Sequence, residues 1–212
     1  MDSSIEKSYD QVAAEYTSRI AGELEHKPFD RSLLDRFVRE AGPLGPICDL
    51  GCGPGHVGRY LHERGASVIG IDLSSGMVEE ARRLNSSIRF LQGSMLNLPL
   101  DTGSLGGIVA FYSIIHLLPE DLPTAFAEMQ RVLKAGGHLL VAFHLGDEVR
   151  HLDEWWDHPV SIDFVFYRMP VVLRALRSAG FALIEQHRRD PYPEVEHPSR
   201  RGYIWARKLE AE

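Results

Sequence analysis

The run Pro46-Ile47-Cys48-Asp49-Leu50-Gly51-Cys52-Gly53-Pro54-Gly55 constrains this chain more than any other. Residues 46–50 read as a short buried strand. The glycines at 51, 53 and 55 permit positive φ and let backbone approach a ligand closely. A helix then follows through Val57, Tyr60 and Leu61, stopped by Gly65. Its first turn presents free N–H groups and the positive end of the helix dipole. An apolar strand delivered into a glycine turn and a helix implies an α/β layer structure, because such strands are covered on both faces.

The rest of the chain repeats that alternation. Strands are expected at 67–72, 88–92, 105–111 and 138–143. Two helices precede the first strand. One carries Ile5, Tyr9, Val12, Ala13, Tyr16 and Ile20 on a single face. The other runs from Pro28, a favourable first-turn residue, to Gly42-Pro43. Ser74 and Ser75 can cap a helix through Met77, Val78, Ala81 and Leu84. Another helix spans Leu122 to Leu133 and is expected to close at Gly136-Gly137. Residues 144–167 break the regularity and read as an irregular cover rich in His and aromatic residues. Pro170 opens a further helix, and 181–187 with 202–206 form a closing strand pair. Five strands separated by helices imply parallel βαβ units with right-handed crossovers. Ligands bind such sheets beyond the carboxyl ends of the strands, which points to residues 49–55. The 212 residues fit one domain: N-terminal helices or lid (1–42), ligand-binding core (43–143), a cover over a second ligand (144–170), and a C-terminal helix with a strand pair (171–212).

A formal net charge of -7 argues against a nucleic-acid partner, which needs a basic face. The pairs Arg188-Arg189 and Arg200-Arg201 read as solvated surface, although His197, Arg200 and Arg201, just before the last strand, could instead face an anionic acceptor. No stretch is apolar enough to span a bilayer, and Met1–Glu6 lacks an apolar signal core, so a cytoplasmic location is expected. Cys48 and Cys52 read as small packing residues rather than a disulfide or a metal pair. His144 and His151 are not at helical ligand spacing and no carboxylate cluster joins them, so no metal is expected.

Two acids narrow the ligand. Gly53-Pro54-Gly55-His56-Val57-Gly58 satisfies the dinucleotide pattern G-x-G-x-x-G, so the glycines alone admit an NAD-dependent oxidoreductase. Asp72, ending the second strand, can accept from ribose hydroxyls of NAD or of S-adenosylmethionine. Asp49 stands just before the glycines, where a negative charge is awkward for a pyrophosphate but suits a ligand carrying an amino group and a sulfonium.

The run Asp49 to Gly55 resembles motif I of the class I S-adenosylmethionine-dependent methyltransferases. The similarity continues through Tyr9–Tyr16, Ile71–Met77, Gly93–Pro99, Ser113–Leu117 and Arg131–Gly137. The small-molecule, UbiE-like (type 11/25) subgroup is the most similar. This resemblance implies a Rossmann-like, doubly wound, seven-stranded, mostly parallel sheet of order 3-2-1-4-5-7-6, with the last strand antiparallel and N-terminal lid helices. It implies S-adenosylmethionine as cofactor and methyl transfer to a small-molecule acceptor at O, N, S or C (EC 2.1.1.-), by a monomer or homodimer. Asp49, Gly51, Cys52, Gly53 and Gly55 would then line the methionine part, with Phe111 beneath it. Asp72 would hold the ribose, with Leu73, Met77, Gly93, Ser94 and Met95 around the adenine and Tyr9 and Tyr16 folded over as a lid. Two positions depart from the family pattern: Ser94 replaces a frequent acid, and Leu105-Gly106-Gly107 replaces a frequent Asp. His116 and His144, after the fourth and fifth strands, are the candidate bases, since histidine titrates near neutrality. Tyr112, His116, His144, His151 and Trp155 are the candidate acceptor contacts. A cofactor-binding protein or cyclase without methyl transfer remains the other reading of the same fold.

Overall fold

The computed structural model describes residues 2–209. Seven strands form one sheet in the order β3-β2-β1-β4-β5-β9-β8. They are β1 (Ile47–Leu50), β2 (Val68–Asp72), β3 (Arg89–Gln92), β4 (Leu105–Phe111), β5 (Leu133–His144), β8 (Phe181–Arg189) and β9 (Arg201–Lys208). β3, β2, β1, β4 and β5 are mutually parallel, and β9 runs antiparallel to both β5 and β8. This is the expected topology, with β9 and β8 as the seventh and sixth strands of the series.

Period-2 alternation splits the sheet residues between two apolar layers. Ile108, Ala110, Leu139, Val141 and Phe143 pack on one face, against α5 (Leu122–Val132) and α6 (Met169–Ser178). Val109, Leu140 and Ala142 pack on the other with Leu34, Phe37 and Ala41 of α2 (Pro28–Ala41) and Val57 and Leu61 of α3 (His56–His62). Covering both faces explains why these strands are apolar throughout instead of alternating. Pro28 opens α2 as expected, and Ser74 caps α4 (Ser75–Leu84) by accepting from Met77 N at 3.1 Å.

Two expectations fail. The helix through Leu122 ends at Val132, not at Gly136-Gly137: Leu133 is already extended and pairs with Leu105. The register jumps to Gly107–His138, so Lys134–Gly137 bulge out of the strand, with Gly136 at φ 72°. Residues 144–167 are not irregular. They hold a hairpin, β6 (Val149–Trp155) and β7 (His158–Val165), turned by Trp156 and Asp157 at φ 53° and 62°. Helix α1 (Asp2–Ile20) lies along this hairpin, where Ser8 Oγ accepts from Ser161 N at 2.9 Å. It is tied to the core as well: Asp10 Oδ1 accepts from Ser74 Oγ at 2.6 Å and from Gly76 N at 2.8 Å. α1 and the hairpin thus form one roof above the carboxyl ends of β1, β2, β4 and β5. Among the described residues, no helix is long and apolar enough to cross a membrane.

Candidate functional site

Under that roof lies a cavity of about 840 Å3, in the upper part of the usual range for small-molecule sites. Every residue expected at the cofactor lines it except Gly55. Gly55 turns away: a Cβ there would meet the Phe90 ring at 2.8 Å, so its role is packing behind the turn. Gly51 has φ 71°, and a Cβ on it would stand 2.2 Å from Ser113 Cβ. The first glycine is therefore dictated by the close approach of the segment after β4.

Two acids frame this end. Asp49 Oδ2 accepts from Gly58 N at 2.7 Å, which ties β1 to the first turn of α3. Asp72 accepts from Gly53 N at 2.8 Å and Ser74 N at 2.9 Å, so it holds the glycine turn and the start of α4 together. Burial pushes both carboxyls up to about 6; it outweighs the His56 charge and the Gly58 N–H at Asp49, and the Ser74 and Gly53 N–H groups at Asp72. Glu23, in a 3-10 turn after α1, is a third acid on the wall. Burial opposes its charge, but the His56 hydrogen bond and the Lys27 ammonium hold it down to about 2. Ser113 and His56 also line the cavity, and their buried Oγ and Nδ1 have no protein partner. Buried carboxylates beside orphaned polar atoms fit an occupant that carries cationic and hydrogen-bonding groups. Ser94 also lines the wall, its Oγ accepting from Leu96 N at 3.2 Å.

The roof over this end is aromatic. Tyr9, Tyr16 and Trp155 meet pairwise edge-on, with ring centroids 5.7 to 5.9 Å apart. Trp156 stacks on Trp155 at 4.6 Å. The tryptophans are therefore a hairpin tip pressed onto α1.

His116 sits further along, in the short turn after β4. Its Nδ1 lies 3.0 Å from the Asp163 carbonyl and its Nε2 lies 2.7 Å from the Tyr9 hydroxyl. A carbonyl only accepts, so Nδ1 carries the proton and Nε2 accepts from Tyr9. Burial pushes His116 down to about 4, which keeps the ring neutral near pH 7. His144 ends β5 beside it, stacked on Phe166 at 5.0 Å and bonded through Nδ1 to Ser199 Oγ at 2.8 Å. Burial, with the Arg201 charge adding to it, drives His144 down to about 3. Tyr112 shares this end at φ 53°, its hydroxyl 2.9 Å from that of Tyr203.

Two expectations need correction. His151 lies outside the cavity: it points from β6 to Asp163 Oδ1 at 2.7 Å and Asp153 Oδ1 at 3.1 Å, with its side chain 45% exposed. The arginine pairs are not uniformly solvated. Alternation along β8 and β9 turns Arg189 and Arg201 inward, whereas Arg200 stays out with Asp190. Arg189 clasps Glu196 through two bonds of 2.6 and 2.8 Å and reaches Asp30 at 2.8 Å. Glu23, Lys27, His56, Arg150 and Arg201 line the cavity without having been expected there. Two of these had a sequence signal: His56 lies inside the glycine run, and Arg201 stands just before the last strand, where a residue facing an anionic acceptor was one reading beside the surface one.

Comparisons with known proteins agree with this geometry. Residues 47–137 match a family described as "Methyltransferase domain". The chain is 27% identical over 190 residues to the malonyl-[acyl-carrier protein] O-methyltransferase of Serratia marcescens, covering 87% of this chain and 74% of that one. It is 31% identical over 166 residues to the enzyme of the same name from Alcanivorax borkumensis, covering 74% and 56%. The alignment thus spans little more than half the length of the second relative. A chain of the complex between the Haloferax volcanii Trm112 methyltransferase activator and a methyltransferase superposes with TM-score 0.75 at 22% identity, over 99% of both chains.

Proposed function

We propose that this chain, which belongs to the class I S-adenosylmethionine-dependent methyltransferases, methylates a small-molecule acceptor held beside His116 under the roof of α1 and the β6–β7 hairpin. Its cofactor is S-adenosylmethionine. The observation that carries the reading is one cavity joining the glycine turn, with its carboxylates, to a neutral histidine whose basic nitrogen is defined. Asp72 would hold the ribose, Asp49 and Glu23 the cationic amino-acid end, and Ser113 and His56 would give their free polar atoms to it. When bound, the cofactor supplies a methyl group on a sulfonium, whose leaving group is a neutral sulfur. The protein therefore has to position the acceptor and, for an O–H, N–H or S–H acceptor, take its proton. His116 Nε2 is the proposed base. The Asp163 carbonyl fixes its tautomer, and the Tyr9 hydroxyl occupies the lone pair until an acceptor takes that place. Both relatives are named for O-methylation, which supports oxygen as the accepting atom.

A screen of small metabolites for S-adenosylhomocysteine release tests the reaction. Release with an acceptor supports methyl transfer; cofactor binding without release across the screen favours the binding-protein or cyclase reading. With an acceptor in hand, His116→Gln should lower kcat on the order of 10²–10⁴-fold with little change in KM, the usual share of a general base. An unchanged kcat would remove His116 as base.

The pH dependence follows from the two buried acids. Their native values, about 6, lie above the ordinary carboxylate range, so the unliganded fold gains stability as pH falls through 6 and loses it as pH rises. Binding runs the other way, because the amino-acid cation needs ionised Asp49 and the ribose hydroxyls donate to ionised Asp72. S-adenosylhomocysteine affinity should drop roughly tenfold for each such group protonated between pH 7.5 and 5. Calorimetric titrations at both pH values check this, and a pH-independent Kd contradicts it.

A further inference from the structure

The cavity is polarised. Asp49, Asp72 and Glu23 gather near the glycine turn, whereas the end beyond Tyr112 and His144 carries Arg201 and Arg150, with Glu196 the acid beside them. Arg201 is 3% exposed, and its charge is met only at a distance, by the Tyr112 ring at 5.5 Å and by Glu196. Nη1 donates to Ser199 O and Oγ at 2.5 Å, and Nη2 donates to His197 O at 3.0 Å, all neutral acceptors. Nε is buried and has no hydrogen-bond partner. The nearest acid, Glu196, stands 3.7 Å from that Nε and is already clasped by Arg189. A desolvated guanidinium held this way is costly unless an anion completes it.

The neighbours reinforce the point. Arg150, at the mouth, pairs with the half-exposed Glu148 at 2.7 Å, donates to His197 Nε2 at 2.9 Å and lies over the Phe166 ring at 4.9 Å. Burial, then Arg150 and Arg201, lower His197, and Arg201 adds to the burial that lowers His144; both rings therefore feel positive charge. Apart from Glu196 and the two histidines, the walls of this end are aromatic: Tyr112, Phe164 and Phe166.

We propose that Arg201, with Arg150 at the entrance, binds a carboxylate of the acceptor, so that the substrates are small apolar or aromatic acids. This rests on the reading of the cavity as a methyl-transfer site and deepens it. A guanidinium presents a planar fork of donors that matches a carboxylate. The aromatic walls then hold the acid's apolar body, and His116 faces the atom to be methylated.

The test is calorimetric titration of phenylacetate and of phenylacetamide, an isosteric neutral control, with and without S-adenosylhomocysteine. The acid should bind at least about tenfold more tightly than the amide, the scale of one charge-assisted hydrogen bond. Arg201→Gln should erase that preference and leave the Kd for S-adenosylhomocysteine within about twofold. If Arg201→Gln does not fold, Arg150→Gln, a change on the half-exposed rim, should reduce the preference severalfold without touching amide binding. Equal binding of acid and amide overturns the proposal. So does a variant that weakens both probes alike, which is what a purely structural arginine would do. Arg201-dependent preference for the acid in a protein that fails to bind S-adenosylhomocysteine would keep the carboxylate subsite and remove the methyl-transfer reading.

Discussion

Gly51→Ala should abolish cofactor binding and destabilise the fold by roughly 2–5 kcal/mol, the sum of left-handed backbone strain and overpacking. The added methyl would stand 2.2 Å from Ser113 Cβ, and the backbone there is at φ 71°. Neither the β1 exit nor the segment after β4 can retreat easily, because Gly51 N donates to Ile71 O at 2.7 Å and Tyr112 N to Ala142 O at 2.8 Å. Gly53→Ala is the control. It also has positive φ, at 51°, but its Cβ would meet only Tyr16 Cε1, at 3.7 Å. It should cost about 1–2 kcal/mol, the backbone strain alone. Thermal unfolding and S-adenosylhomocysteine titration of both variants read the difference. Equal losses would mean that the close approach to Ser113 is not what demands glycine.

Asp30→Ala should cost about 3–5 kcal/mol, as expected when one partner leaves a buried ion network. Asp30 is fully buried, accepts from Arg189 at 2.8 Å and from the Tyr203 hydroxyl at 2.9 Å, and sits in the first turn of α2. Burial raises its carboxyl, against the Arg189 charge, so the guanidinium is what keeps the network assembled. Removing Asp30 leaves Arg189 with Glu196 alone and the Tyr203 hydroxyl with that of Tyr112 alone, and loosens the segment that carries Glu196 and Arg201 to the cavity. Arg200→Ala, which breaks only the exposed pair with Asp190, should stay within about 1 kcal/mol. Urea unfolding of the two variants compares them; similar losses would place the Asp30 network outside the determinants of stability.

The parts legible in the sequence are those where local chemistry and global position coincide. The apolar β1, its glycines and the acids at 49 and 72 announce a strand-turn-helix and a ligand end, and the structure puts them on one wall. The hairpin was only half legible. β6 has no buried residue and no hydrophobic period, and the turn uses Trp156 and Asp157 rather than glycine; β7 does alternate, with Val160, Ile162 and Phe164 between Ser161 and Asp163, but a single short strand outside the sheet has no obvious partner in the sequence. The glycines at 136 and 137 resemble a helix stop but make a strand bulge, because Leu133 is recruited to pair with Leu105. Arginine pairs ordinarily read as surface. Burial of Arg189 and Arg201 depends on the register of β8 against β9, which no local pattern reports. His151 was expected beside His116; the register of the hairpin instead turns it to Asp163 and Asp153, outside the cavity.

The most direct measurement is calorimetric titration of the chain with S-adenosylhomocysteine and, separately, with NADH. One S-adenosylhomocysteine should bind per chain, with affinity falling as pH drops through 6, and NADH should not bind. Binding of NADH with no response to S-adenosylhomocysteine would contradict the account.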